Sequence, residues 1–221
     1  MIIEARLSGF LFLLIIALYL ILLPALGYKV EIGDSDAELQ RINNDPKKFQ
    51  ISIGLALIHN IIVITLTILL FIAFSSYNII LAIVWTIFRI GEGLILFYTE
   101  PSYWGFLNIA RKYSVSSGVE KKALSDLARS IFKTKNSRFK FAMVCWSIGT
   151  LAFSIVLVTS GVVPAIIGWL GIVASILYGF GSGIKLVKPN FKVLSYFGAL
   201  LIMLFEVVLG GWLLFSSLII L

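Results

Sequence analysis

The sequence predicts an all-α integral membrane protein, a polytopic bundle of six transmembrane helices. Hydrophobic residues make up 60% of the chain. Charged residues make up only 13%, against roughly 25% in soluble domains. Six apolar stretches approach the length of about 20 residues that a helix needs to cross the hydrocarbon core, and lipid favours helices because it offers the backbone no other hydrogen-bonding partner. The predicted spans of this single transmembrane domain (1–221) are residues 7–26, 51–74, 79–99, 141–159, 165–186 and 193–218.

The connections between the spans alternate between tight turns and longer polar segments. The first apolar stretch is expected to be a span rather than a cleaved signal peptide, because its flank has little net charge and its apolar body is too long. Residues 75–78 and 160–164 form tight turns, and the second turn ends in a proline, which suits the start of a helix. Residues 27–50 and 100–140 form long loops, and 188–190 link the last two spans.

The basic residues indicate an orientation in the membrane. Of the 18 Lys and Arg residues, Arg89 lies inside a span, Arg6 lies beside the N-terminus, and the other 16 lie on the side of the long loops. We call this side the basic side and the opposite one the neutral side. The positive-inside rule predicts a cell-membrane protein with the long loops in the cytoplasm and both termini outside.

The basic segment 111–140 contains an amphipathic helix at about 118–133. Ser117 and Glu120 have the spacing of a capping box, which opens a helix. Apolar residues then share one face and basic residues occupy the rest, so we expect an interfacial helix bound to anionic lipid headgroups, between the third and fourth spans. The alternative is a solvated helix that packs on the loops of the bundle. Nucleic acid is not expected as a partner, because topology alone explains the positive charge.

A charge cluster lies within the spans. Arg89 is at the midpoint of the third span, although a charge at the bilayer centre costs about 2.5–3.5 kcal/mol. Glu92 lies three residues later, on the same helix face. Glu206 is near the midpoint of the sixth span and at nearly the same depth as Arg89. If the third and sixth spans touch, Arg89 faces two carboxylates.

Three roles are open for this cluster. It can be a latch that fixes helix order, since buried ionic groups can specify packing without chemistry. It can carry a proton or an ion, because two carboxylates that share one cation are not both easily ionised, and Glu206 is the candidate carrier. It can also bind an anionic ligand through Arg89.

Other polar and small residues within the spans suggest helix packing. His59 and Asn60, in the second span, are candidates for hydrogen bonds between helices or for a contact with Glu92. A stripe of small residues in the fifth span allows close helix approach, either within the chain or in a homo-oligomer. The stripe consists of Gly168, Gly171, Ser175, Gly179 and Gly183.

The sequence contains few residues for metal or cofactor chemistry. His59 is the only histidine and Cys145 the only cysteine. A structural zinc site and a bis-histidine haem site therefore cannot form within one chain. We predict no metal site and no cofactor.

Four short features resemble those of a known family. They are Phe88-Arg89-x-x-Glu92, the Gly-x-x-Pro-x-x-x-Gly turn at 161–168, Glu206 in the last span, and the helix that precedes the fourth span. Together they resemble uncharacterised prokaryotic six-helix membrane proteins, a family catalogued as a domain of unknown function. The resemblance implies the architecture and draws attention to these residues, and it assigns no activity.

The sequence therefore favours a structural or accessory membrane protein with a buried Arg-Glu-Glu cluster. The first alternative is a small proton-linked transporter, because two halves of three helices with opposite starting orientation are compatible with an inverted repeat. The second alternative is a membrane enzyme acting on a lipid or a quinone, with the two acids as general acid and base.

Overall fold

A computed structural model of the protein describes residues 2–29, 31–188, 190–191 and 193–216, and all regular elements in these ranges are helices. Six of the helices are long and apolar enough to cross a membrane, which confirms the predicted all-helical, six-span architecture. The predicted end of the sixth span, residues 217–218, lies outside the described residues. In chain order the elements are α1 (Ile2–Ala17), a π-helical turn (Leu18–Leu22), α2 (Leu23–Ala25), α3 (Ser35–Asn44), α4 (Pro46–Phe74), α5 (Ile79–Thr99), α6 (Pro101–Trp104), α7 (Phe106–Val115), α8 (Gly118–Ser160), α9 (Ala165–Val187) and α10 (Val193–Phe215).

We number the spans in chain order. The first span comprises α1, the π-helical turn and α2, and the second to sixth spans are α4, α5, α8, α9 and α10. Local sequence signals set their ends. The Asp45 side chain accepts a hydrogen bond from the Lys48 N–H (3.0 Å) at the start of α4, and Asn78 accepts one from the Leu81 N–H (3.1 Å) at the start of α5. Gly161 ends α8 with a φ of 71°, a conformation that glycine adopts without steric penalty.

The six spans are arranged as a closed ring. Each span packs on the next one in the chain, and the sixth packs on the first. The first and sixth spans approach most closely near the neutral side, where a Cβ on Gly9 would lie only 2.6 Å from the Leu214 backbone nitrogen. The ring brings residues from all six helices towards a common centre.

Two apolar clusters lie at opposite ends of the bundle. On the neutral side the centre of the ring is filled by large buried side chains. On the basic side a second core joins α3 and α7 to the first turns of α4 and the start of α8, and we call this unit the platform. The first cluster includes Phe12, Leu66, Leu70, Phe74, Phe153, Leu157, Leu209 and Leu213. The second includes Ile32, Leu39, Ile42, Phe49, Ile53, Phe106, Leu107 and Phe132.

The predicted interfacial helix at 118–133 is not confirmed. These residues form the first part of α8, which continues without a break into the fourth span. Their apolar face, which includes Ala128 and Phe132, packs into the platform, and the Phe132 ring stacks on Phe106 at 4.4 Å between centroids. The arrangement matches the alternative, a helix packed on the loops of the bundle, because α3 and α7 cover the face that would otherwise meet lipid.

Candidate functional site

Arg89 and Glu92 form a buried ion pair at the centre of the third span. Arg89 Nη1 lies 2.5 Å from Glu92 Oε2, and the two residues are 2% and 4% exposed. The spacing of three residues places both side chains on the same face of the helix. The pair therefore follows directly from the local sequence.

The guanidinium group of Arg89 also lies against two indole rings. Its central carbon is 5.2 Å from the ring centroid of Trp85 and 5.6 Å from that of Trp146, distances at which an aromatic face attracts a cation. Gly149 of the fourth span leaves room for this arrangement, since a Cβ there would lie 2.9 Å from Arg89 Cγ. The Nε atom of Arg89 is buried and has no hydrogen-bond partner among the described residues.

The expectation that the third and sixth spans pack directly on each other is not met. They are not close neighbours in the ring of described helices, which places the third span between the second and the fourth. Within the described residues, no ion pair within 4.0 Å joins Arg89 to Glu206. The same cavity is instead lined by Arg89, Glu92 and Glu206. Glu206 thus faces the cavity that the Arg89–Glu92 pair lines, but it forms no ion pair with Arg89.

This central cavity has a volume of about 380 Å³, within the range of about 300–1,000 Å³ typical of small-molecule sites. Its wall is mainly apolar, and every span contributes to it. The residues of this wall lie between the bilayer centre and the basic side. The apolar core fills the half of the bundle that is nearer the neutral side. One polar or aromatic wall residue from each span, in order, is Tyr19, His59, Arg89, Trp146, Tyr178 and Glu206.

Glu206 is the most exposed of the three charged residues Arg89, Glu92 and Glu206 that line the cavity. It is partly exposed, whereas Arg89 and Glu92 are buried. Trp146 is close enough to interact with the Glu206 carboxylate. The side chain of Glu206 is therefore more accessible than that of Arg89.

His59 and Asn60 occupy the same helix as predicted, but His59 does not bridge to Glu92. The Nδ1 atom of His59 lies 3.3 Å from the Asn60 side-chain oxygen. The His59 ring packs against Tyr19 of the first span, with 5.7 Å between centroids. Tyr19 lies in the π-helical turn Leu18–Leu22, a distortion that often occurs at functional sites.

The stripe of small residues divides into two parts. Gly168, Gly171 and Gly179 face the fourth span so closely that a Cβ at any of them would clash. Ser175 is buried and donates its hydroxyl hydrogen bond to the Gly171 carbonyl (2.7 Å). Gly183 has open space around it and lines a groove between the fourth and fifth spans.

A second polar group lies at the basic end of the bundle, and sequence reasoning missed it. The Tyr28 hydroxyl donates to the Glu100 carboxylate. Lys135 of α8 is buried; its ammonium donates to the Lys29 carbonyl (2.7 Å) and lies 4.6 Å from the Tyr28 ring centroid. A small cavity of about 30 Å³ is lined by Tyr28, Glu100 and His59, and it shares Tyr19 and His59 with the wall of the central cavity. The sequence feature that could have pointed to this group is the position of two charged residues, Glu100 and Lys135, close to apolar segments.

Among the residues that the structure describes, no group of three His, Cys, Asp or Glu side chains is arranged to hold a metal ion. The polar groups of the cavity can instead exchange a proton, form hydrogen bonds, or pair with a charged molecule.

The fold and its six apolar helices indicate a multi-pass membrane protein. A family model described as a domain of unknown function (DUF4386) matches residues 7–216. The chain therefore belongs to this family, which confirms the resemblance seen in the sequence. No curated protein and no solved structure matches the chain.

Proposed function

We propose that the protein is a small membrane carrier that binds its substrate in the central cavity and couples binding to a proton on Glu206. The observation that carries this proposal is the cavity itself, which is lined by all six spans and closed on the neutral side. Carriers that alternate between the two faces of the membrane commonly bind their substrate near the bilayer midplane, between groups of helices.

The charged groups have different roles in this proposal. Arg89 and Glu92 neutralise each other and hold the third span against Trp146 of the fourth. Among the described residues, Glu206 has no such cationic partner within ion-pair distance, so we assign to it the proton that is gained and lost. The other titratable groups that face the cavity are His59, Tyr19 and Tyr178.

Alternating access is testable before any substrate is known. Met203 lines the cavity, so Met203→Cys in a Cys145→Ala background is labelled by a membrane-impermeant thiol reagent only when the cavity is open. A carrier predicts labelling in both right-side-out and inverted membrane vesicles. Val119→Cys, at an exposed position near the start of α8 on the basic side, is the control and reacts in only one type of vesicle. Labelling of Met203→Cys in only one type would exclude the carrier.

The proton role has its own readout in the same assay. Proton coupling predicts that the ratio of Met203→Cys labelling in right-side-out and inverted vesicles varies with pH. Adding Glu206→Gln should remove this pH dependence. Adding His59→Gln leaves it in place. A pH dependence that survives Glu206→Gln would assign the proton to another group.

A second candidate is the structural or accessory role that the sequence favours. The buried Arg89–Glu92 pair supports it, because such a pair can fix helix packing without chemistry. This role predicts a cavity with fixed access, so Met203→Cys would react from one face at most. A membrane enzyme acting on a lipid or a quinone has no comparable observation in its favour.

Charge and surface shape support proposals about orientation and partners. We propose that the basic side is cytoplasmic and that exposed lysines and arginines of 111–140 bind anionic lipid headgroups. Inverted vesicles, which turn the cytoplasmic face outwards, are then the type in which Val119→Cys reacts. A homo-oligomer through the groove at Gly183 is a further proposal. Native mass spectrometry would show the oligomer, and Gly183→Leu would abolish it.

A further inference from the structure

We propose that the central cavity takes a hydrophobic molecule with a single positive charge and that this molecule arrives from the bilayer between the first and sixth spans. The inference rests on the proposed carrier function and names its substrate class. It follows from the charge of the cavity, its aromatic wall and the position of its mouth.

The cavity carries one unbalanced negative charge when its acids are ionised. The positive charge of Arg89 is paired with Glu92 at 2.5 Å, and Glu206 adds a second carboxylate. Within the described residues, no lysine or arginine forms an ion pair with Glu206. An unpaired carboxylate in a poorly solvated site is unfavourable, and a monocation would offset it. An anion would meet a net negative site in which the one guanidinium is already paired and 2% exposed.

The wall offers aromatic rings as well as the carboxylate. Tyr19, Trp146 and Tyr178 all line the cavity, and the rings of Trp146 and Tyr178 meet edge to face with 5.9 Å between centroids. Aromatic faces attract organic cations, most strongly where water is excluded. The remaining wall is aliphatic, so the body of the molecule is expected to be apolar.

The mouth of the cavity lies within the membrane-spanning part of the bundle. Leu20 of the first span and Leu200 of the sixth line the cavity and are 47% and 55% exposed. The same two helices are in close contact nearer the neutral side, at Gly9 and Leu214. We therefore place the opening towards the lipid between these two helices in the basic half, where Leu20 and Leu200 are exposed. A molecule that partitions into the bilayer reaches this opening directly.

Three dyes of different charge test the inference. The protein is placed in phosphatidylcholine nanodiscs and titrated with the cation 4-(4-dimethylaminostyryl)-N-methylpyridinium, the neutral N-phenyl-1-naphthylamine and the anion 8-anilino-1-naphthalenesulfonate. Empty nanodiscs supply the lipid background. We expect saturable binding of the cation, at least about tenfold tighter than of the other two dyes, a difference of about 1.4 kcal/mol.

Two matched acid substitutions identify the recognising group. Glu206→Gln keeps the shape of the side chain and is expected to weaken cation binding about tenfold. Glu120→Gln removes the same charge from an exposed position on α8 and is expected to change nothing. Thermal unfolding of each variant reports whether it is folded. The comparison of dyes on the unmodified protein needs no variant.

The outcomes separate this inference from the proposed function. Equal affinity for the neutral and the cationic dye would overturn the substrate class and leave a carrier of neutral molecules. Unchanged cation binding in folded Glu206→Gln would overturn the role of Glu206 in recognition. No saturable binding of any dye would overturn the substrate class, while labelling of Met203→Cys from both faces would still support a carrier.

The route is tested by blocking the mouth. Leu200→Trp should slow association of the cationic dye several-fold in stopped-flow measurements. Val207→Trp, at an exposed position on the same helix that does not line the cavity, should not slow it. Equal association rates in the two variants would overturn access between the first and sixth spans.

Discussion

The neutral and basic halves of the same helical bundle differ in what lies between the helices. In the neutral half, Leu70, Phe153 and Leu209 fill the centre of the ring and are almost completely buried. In the basic half, the centre holds a cavity with a partly exposed carboxylate, Glu206, and the Arg89–Glu92 pair in its wall. Apolar side chains close a ring of helices by filling it. The hollow half therefore has the features of a site, and the filled half those of a scaffold.

The largest expected effect comes from Arg89, at the boundary between the two halves. Arg89→Leu leaves the buried Glu92 without its partner, and breaking one side of a buried pair costs about 3–5 kcal/mol. Arg89→Leu combined with Glu92→Leu should recover most of that loss, because no unpaired charge remains. Thermal unfolding in detergent measures both.

The structural account of the pair would be wrong if the double variant were no more stable than Arg89→Leu. Adding Glu206→Gln to the double variant tests whether the charge of Glu206 also affects the stability of the protein. We expect no further loss of stability, because Glu206→Gln breaks no ion pair with Arg89 and removes an unpaired carboxylate.

A smaller effect is expected where the fourth span makes room for Arg89. Gly149→Ala places a Cβ 2.9 Å from Arg89 Cγ and 3.2 Å from the Trp85 carbonyl oxygen, and such overpacking typically costs about 1–3 kcal/mol. Gly91→Ala is the control. A Cβ at Gly91 would meet no neighbouring atom of the described residues within 4 Å, so the higher helix propensity of alanine should make this substitution neutral or stabilising by up to about 1 kcal/mol. Equal unfolding temperatures would show that Arg89 does not need the space at Gly149.

The smallest effect is expected in the platform, outside the membrane-spanning segments. Burial by itself raises the pKa of Glu38, but Arg41 and Lys29 outweigh it, so this pKa lies below its usual value of 4.5. Arg41 lies 2.5 Å and Lys29 3.0 Å from the Glu38 carboxylate. Because the pKa is lower in the folded than in the unfolded protein, Glu38 stabilises the fold above pH 4.5. This stabilisation is lost as the pH falls through the folded-state value.

Replacement of Glu38 should therefore lower the stability of the protein mainly above pH 4.5, where the carboxylate is ionised in both states. Glu38→Gln should destabilise the protein by about 1 kcal/mol at pH 7, and the difference from the unmodified protein should shrink below pH 4.5. Unfolding curves across pH measure the difference, with exposed Glu120→Gln as the control. A difference that grows towards acid pH would contradict the ion pairs of Glu38.

Features that depend only on residues close together in the chain could be predicted from the sequence. Spans follow from apolar length, and the Arg89–Glu92 pair follows from a spacing of three residues on one helix. The relation between Arg89 and Glu206 was not predictable, because equal depth does not determine which helices are neighbours. The ring places the fourth span beside the third, and Trp146 and Gly149 become the neighbours of Arg89.

Two other features also depend on tertiary packing. The polar segment 133–140 has the composition of a loop, yet it is helical within α8, which packs on α3 and α7. Tyr19 and Tyr178 look like ordinary residues of apolar spans until the ring directs both into the cavity. The resemblance to the family correctly indicated the architecture and could not supply these contacts.

The sixth span borders the open cavity at the depth of Met203 and the sealed apolar core at the depth of Leu209. Single cysteines at Met203 and Leu209, in a Cys145→Ala background, test this arrangement by their rates of reaction with a thiol reagent in the folded protein. We predict that Met203→Cys reacts at least about tenfold faster than Leu209→Cys, which can react only through local opening, and that the rates become equal after denaturation. Equal rates in the folded protein, or faster reaction at Leu209→Cys, would contradict a cavity confined to the basic half.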